Sequence, residues 1–137
     1  MKSTTDLLNI IKNSKDEALK QTIDTIKEMS FSEYFNYLCR IKEVSRSDII
    51  KQTNLSRTYA YQIFDGSKKA GRDKIIQIAL ALKSSLKETE RLLKLSGHSP
   101  LYSKIRRDAV LIFAIEHQLT AIAANELLDD FQFECLE

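Results

Sequence analysis

Apolar residues recur at helical spacing along most of the chain. Phe31, Tyr34, Phe35, Leu38 and Ile41 mark a first helix, Phe31 to Lys42, opened by Ser30 and Glu33 at capping-box spacing. Ser45 with Asp48 repeats that spacing and starts a short second helix through Thr53. Asn54, a residue that tolerates the left-handed conformation, is expected to end it, with Leu55 apolar in mid-turn. Ser56 then caps a third helix, Arg57 to Phe64, which Gly66 terminates. A fourth should run from Asp73 to about Leu82 with Ile75, Ile76, Ala79, Leu80 and Leu82 inward. Ser85 and Glu88 open a fifth, Leu86 to Leu95, closed by Gly97 with Pro100 beyond.

The two ends are patterned differently. Residues 1–29 read as a polar, helix-prone arm with an apolar cluster (Leu7, Leu8, Ile10, Ile11) and a stripe of Leu19, Ile23 and Ile26. That arm either docks on the main body, pairs with another copy or is partly ordered. Ala109 to Ile115 is apolar on every side, so its period separates neither strand from helix. No second strand candidate exists to pair with it, so a helix from Ser103 to His117 is expected, followed by one capped by Thr120 and reaching about Asp130. Such an apolar helix must be covered by the bundle and its neighbour or by a second subunit. Val110, Leu111, Phe113, Ala114, Leu127 and Leu128 are the candidate oligomerisation residues. The expected organisation is all-α: an arm (1–29), a five-helix bundle (30–97) and a C-terminal helical pair (98–137) for oligomerisation or effector binding.

Composition supports a helical chain: of 137 residues only three are Gly and one is Pro. The net charge of +2 hides an asymmetry. All 21 Lys and Arg precede residue 108, where they outnumber 12 acids by nine; the other seven acids follow with no basic residue. A charge dipole of this kind raises the expectation of a polyanionic partner. The longest apolar run has seven residues, too short for a membrane span, and no apolar segment of a secretory signal follows Met1. Cys39 and Cys135 are far apart in sequence; Cys39 reads as a core residue and Cys135 as a free thiol, so a reducing, cytoplasmic setting is expected. His98 and His117 have no second ligand at metal spacing, and there is no Gly-rich phosphate loop, nucleophile elbow or HExxH. Neither an enzyme nor a metal or cofactor site is expected. Arg106, Arg107 and Asp108 either form a buried ion-pair network or start a helix.

The segment RSDIIKQTNLSRTYAYQIFD, Arg46 to Asp65, has the spacing of a helix-turn-helix, with Ile49, Leu55 and Ile63 at its internal contact positions. Residues 30–97, about half the chain, resemble the lambda-repressor-like DNA-binding domain of phage-repressor, Cro-type (Xre-type) regulators. Three departures stand out: Asn54 replaces the usual turn Gly, Ile50 and Ala60 exchange the usual small and branched residues, and Ala70 stands in the Ser67–Gly71 loop, which lacks its common Pro. The resemblance implies a dimeric, sequence-specific binder of double-stranded DNA, a transcriptional regulator of repressor type. Its recognition helix, about 57–64, would present Arg57, Thr58, Tyr61 and Gln62 to base edges; for Tyr61, core packing weighs equally. Arg can bind guanine and Gln adenine through two hydrogen bonds, and a Thr methyl can touch thymine. Ser45, Arg46, Ser47, Gln52, Ser56, Lys68, Lys69, Arg72 and Lys74 are the candidate phosphate contacts; from Arg40 to Lys74 the net charge is +5. The alternative keeps the bundle but uses it as a protein-interaction module, an adaptor, antitoxin-like partner or inhibitor, engaging a protein partner through the acidic C-terminal region.

Overall fold

The computed structural model describes residues 3–13, 15–25 and 29–137. Within them lie nine helices and no strand: α1 (Thr4–Asn13), α2 (Asp16–Thr25), α3 (Phe31–Lys42), α4 (Arg46–Gln52), α5 (Arg57–Phe64), α6 (Arg72–Ala81), α7 (Leu86–Leu95), α8 (Arg106–Glu116) and α9 (Ala121–Asp130). The chain is all-helical, and α3, α5 and α7 have the bounds their sequence pattern predicts. Helices α1 and α2 pack on each other; Leu8, Ile11 and Ile23 stay exposed, and Ile26 falls outside the described residues.

Hydroxyl side chains set most helix starts. Ser30, Ser45, Ser56, Ser85 and Thr120 each accept the backbone N–H of the third helical residue, and Glu33 and Glu88 complete capping boxes. Helix ends follow a second rule. Glu43, Lys83, Gly97, Gln118 and Gln132 adopt positive φ, and the residue after each donates its N–H to a carbonyl five residues back, such as Val44 to Cys39 and Leu119 to Ala114. Four of these left-handed residues are not glycine. Val44, Leu119 and Phe133, which follow three of them, turn inward onto the core and fix the reversal.

Helix α6 is the centre of the fold. Every residue from Ile75 to Leu82 is buried, including Gln77, Ile78 and Ala81, which the predicted one-sided stripe left outside. Around it, Phe35, Leu38, Ile49, Ile63, Phe64, Leu92 and Leu93 form a core with Leu101, Leu111, Ala114, Ala124, Leu128 and Leu136. Residues 98–137 therefore share the core of residues 30–97. Helix α8 is the less enclosed of the two apolar helices: it buries Leu111, Ala114 and Ile115 but leaves Phe113 49% exposed. It begins at Arg106 rather than Ser103 because a turn, Ile105 N–H to Tyr102 O, precedes it. Among the described residues no helix is long and apolar enough to cross a membrane.

Two crossed ion pairs bind α6 to α8. Arg72 reaches Asp108 at 3.0 Å, and Arg107 reaches Asp73 at 2.9 Å, so the Arg-Asp dipeptides that open the two helices exchange partners. The hydrogen bond to Asp73 and that carboxylate's charge hold Arg107 above its ordinary pKa. Of the two sequence alternatives for residues 106–108, the helix start holds, and Arg107 and Asp108, without Arg106, also form ion pairs. Arg107 also donates to the carbonyls of Glu134 and Cys135, and Leu136 N–H donates to Asn125 Oδ1, which pins residues 134–136 to α8 and α9.

Among the described residues two buried side-chain polar atoms lack a hydrogen-bond partner, Gln77 Nε2 and Ser84 Oγ, and the second is the easier to correct. Ser84 is 1% exposed, follows the left-handed Lys83, and its hydroxyl has no hydrogen-bond partner. A buried unpaired hydroxyl costs roughly 1–3 kcal/mol, and this position after a helix end favours an apolar side chain. Ser84→Ala should therefore raise stability by about 1 kcal/mol, read from urea unfolding. A loss of stability would show that the hydroxyl is satisfied in solution.

Candidate nucleic-acid interface

Helix α5 divides into two faces. Ala60, Ile63 and Phe64 are buried, and the Phe64 ring stacks on Phe35 at 4.4 Å, which fixes the helix to α3. Arg57, Thr58, Tyr61 and Gln62 share the other face: the first two are exposed and the last two half-buried. Tyr61 is partly packed against the core. Its ring meets Phe64 edge-on, while the guanidinium groups of Arg46 and Arg57 lie 5.7 Å and 5.6 Å from its centroid. Cations this close to an aromatic ring are attracted by its quadrupole. Tyr61 is thus a platform between two arginines.

The turn before α5 departs from expectation. Asn54 is not among the residues with positive φ; Thr53 ends α4 in extended conformation, and its hydroxyl donates to the carbonyl of Ile49. That buried hydrogen bond satisfies a free helix carbonyl, so no left-handed residue is needed there.

Arg46 is held from two sides. Its Nη1 donates to Asp65 Oδ1 at 3.0 Å and its Nη2 to Asn36 Oδ1 at 2.9 Å. Asn36 Nδ2 donates in turn to Ser32 Oγ, which donates to Phe64 O at 2.7 Å. The chain Arg46, Asn36, Ser32, Phe64 ties the start of α4 and the end of α5 to α3. Sequence reasoning missed Asn36 and Ser32 as parts of this unit. Their only local signal is that they lie one turn apart on α3.

The predicted phosphate contacts divide into three groups. Lys68 and Lys69 are exposed on the loop after α5, Gln52 is exposed at the end of α4, and Ser47 and Lys74 are half-buried. Ser45 and Ser56 spend their side-chain oxygens as helix caps. Arg72 is withdrawn: its guanidinium donates to Ser99 O, Pro100 O and both Asp108 oxygens, so it holds the α7–α8 connection. His98 helps there, with Nε2 2.8 Å from Ala70 O.

The oligomerisation residues divide as well. Leu111, Ala114 and Leu128 lie fully inside this chain's own core, where a second copy cannot reach them. Burial against α9, α7 and α6 replaces the subunit contact that the apolar run suggested. Val110 and Leu127 are half-buried, and Phe113 is exposed, its ring 4.0 Å from His117. Burial pushes the half-buried Cys39 thiol above its ordinary pKa, against the pull of Arg46, so this thiol is a poor nucleophile. Among the described residues no group of three His, Cys, Asp or Glu is placed to hold a metal. No protein-family model, curated protein or solved structure matches the chain.

Proposed function

We propose that this protein is a sequence-specific DNA-binding transcriptional regulator of repressor type, with α4 and α5 as a helix-turn-helix and α5 lying in the major groove. The observation that carries the reading is the outward face of α5. Arg57, Thr58 and Gln62 stand together on a helix that Phe64 and the Arg46 network lock to the bundle. Those side chains offer two donors for guanine, a donor and acceptor for adenine, and a methyl group for thymine. Lys51, Lys68 and Lys69 are exposed and available to phosphates. The protein acts in the cytoplasm as a homodimer, since one short helix reads few bases and paired copies read a two-fold symmetric site. Phe113, Val110 and Leu127 are the remaining candidates for the contact between copies.

The test is in-vitro selection of DNA by the purified chain, followed by affinity measurements across a salt series. A two-fold symmetric consensus is expected, with log affinity falling by about 0.9 per phosphate contact for each tenfold rise in salt. Asp65→Asn should release Arg46 toward a phosphate and steepen that slope by about one contact. Affinity for selected DNA no better than for random DNA would sink the reading.

One observation favours a second reading. Glu116, Glu126, Asp129, Asp130, Glu134 and Glu137 are all exposed, and none belongs to an ion pair among the described residues. A protein-interaction module would use that acidic surface, and its complex with a partner would survive nuclease treatment.

A further inference from the structure

A cavity of about 330 Å³ opens between the start of α3, the end of α5 with its following loop, and the end of α7. Phe31, Ile63, Ile75 and Leu95 give it apolar walls, and the exposed Lys68 and Lys69 line it as well. Asp65 also lines it, but its carboxylate is paired with Arg46, so the two ammonium groups set the charge the cavity presents. The capping box of α3 already supplies Ser30 N–H and Glu33 N–H with partners, so the charged groups that attract an anion at this cavity are the lysines. The volume falls at the small end of ligand sites, which run roughly from 300 to 1,000 Å³, and is too small for a helix. Apolar walls disfavour a bare inorganic anion, while two lysines at the same cavity favour a negative head group.

We propose that this cavity binds a small monocarboxylate with an apolar body, its hydrocarbon between Phe31 and Leu95 and its carboxylate at Lys68 and Lys69. A regulatory consequence follows, and this part rests on the proposed DNA binding. Lys68 and Lys69 are also phosphate candidates, so an occupied cavity competes with DNA for them. Linkage makes the effect reciprocal: the ligand weakens DNA binding by the factor by which DNA weakens ligand binding.

The experiment uses the full chain with 4-phenylbutyrate and its uncharged analogue 4-phenylbutan-1-ol, followed by calorimetry and by amide chemical shifts. Saturable binding of one phenylbutyrate per chain is expected, with shifts centred on residues 30–32, 63–70 and 95–96. Two exposed ion pairs are worth about tenfold in affinity, so the alcohol should bind about tenfold more weakly. Lys68→Gln with Lys69→Gln should bring the acid down to the alcohol and leave the alcohol unchanged. Ser96→Phe, which fills the cavity from α7, should remove both; the lysine variant decides alone if this one does not fold. No saturable binding of the acid, or equal binding by the native chain and the lysine variant, overturns the proposal. Saturating phenylbutyrate should lower affinity for the selected DNA about fivefold, short of the roughly tenfold that both lysine contacts carry. A ligand that binds a chain with no DNA affinity would leave the cavity assignment standing and remove the regulator; a chain that binds DNA but no ligand would do the reverse.

Discussion

Asp108→Ala should lower the stability of the fold by about 3 kcal/mol, the low end of the cost of breaking a buried ion pair from one side. The Asp108 residue is 3% exposed and accepts three hydrogen bonds: Arg72 Nη1 at 3.1 Å, Arg72 Nη2 at 3.0 Å and Tyr102 N–H at 3.1 Å. Without the carboxylate, the Arg72 guanidinium keeps only the carbonyls of Ser99 and Pro100, and Tyr102 N–H loses its acceptor. The second pair, Arg107 with Asp73, is a useful control because both its side chains are about a quarter exposed. Solvent screens it more, so Asp73→Ala should cost about 1 kcal/mol, near the upper end for exposed pairs. Urea unfolding of the two variants measures the difference, and thermal melting should show Asp108→Ala lowered by about 10 °C. Equal losses in the two variants would mean that burial of Asp108 carries no special weight. Replacing both members, Arg72→Met with Asp108→Leu, should recover most of the loss, since an apolar pair of similar volume leaves no charge unpaired.

The same pair shows where sequence reasoning stops. Helix starts were legible because Ser30, Ser45, Ser56, Ser85 and Thr120 act on residues three positions away, a distance that a linear pattern contains. Helix ends at Glu43, Gln118 and Gln132 were less so, because their signal is the inward turn of the next residue rather than a glycine. Arg72 stands in a run of basic residues and reads as a phosphate ligand. Its partner is 36 residues away, and no periodicity links the two. Gly97 and Pro100 look like a boundary between domains, yet the carbonyls of Ser99 and Pro100 are where Arg72 binds, so the connection is fastened to the bundle. The apolar run of α8 suggested a subunit interface for a similar reason: sequence shows that a face must be covered but not that α9, α7 and α6 cover it. In the candidate interface, the outward residues of α5 were legible from helical phase, whereas the Arg46 network spans three helices and became visible only in the fold.

The largest functional effect is expected from the Arg57→Ala and Gln62→Ala pair. Each side chain can make a two-hydrogen-bond contact with a base, worth roughly 1–3 kcal/mol of discrimination. Independent contacts would sum to about 2–6 kcal/mol, or roughly 30-fold to more than 10,000-fold, for selected over random DNA. Arg57 and Gln62 make no ion pair with the bundle among the described residues, and Arg57 loses only its contact with the Tyr61 ring, so stability should stay within about 1 kcal/mol of the native chain. Arg57→Lys should not restore discrimination, because an ammonium group lacks the planar fork that reads guanine. Lys68→Gln with Lys69→Gln supplies the contrast: phosphate contacts carry no sequence information, so that variant should bind selected and random DNA more weakly by the same factor and flatten the salt dependence. Competition binding with both DNA pools separates the two classes of residue. If Arg57→Ala and Gln62→Ala weaken both pools equally, the outward face of α5 holds the backbone rather than the bases, and the reading element must be sought on another helix.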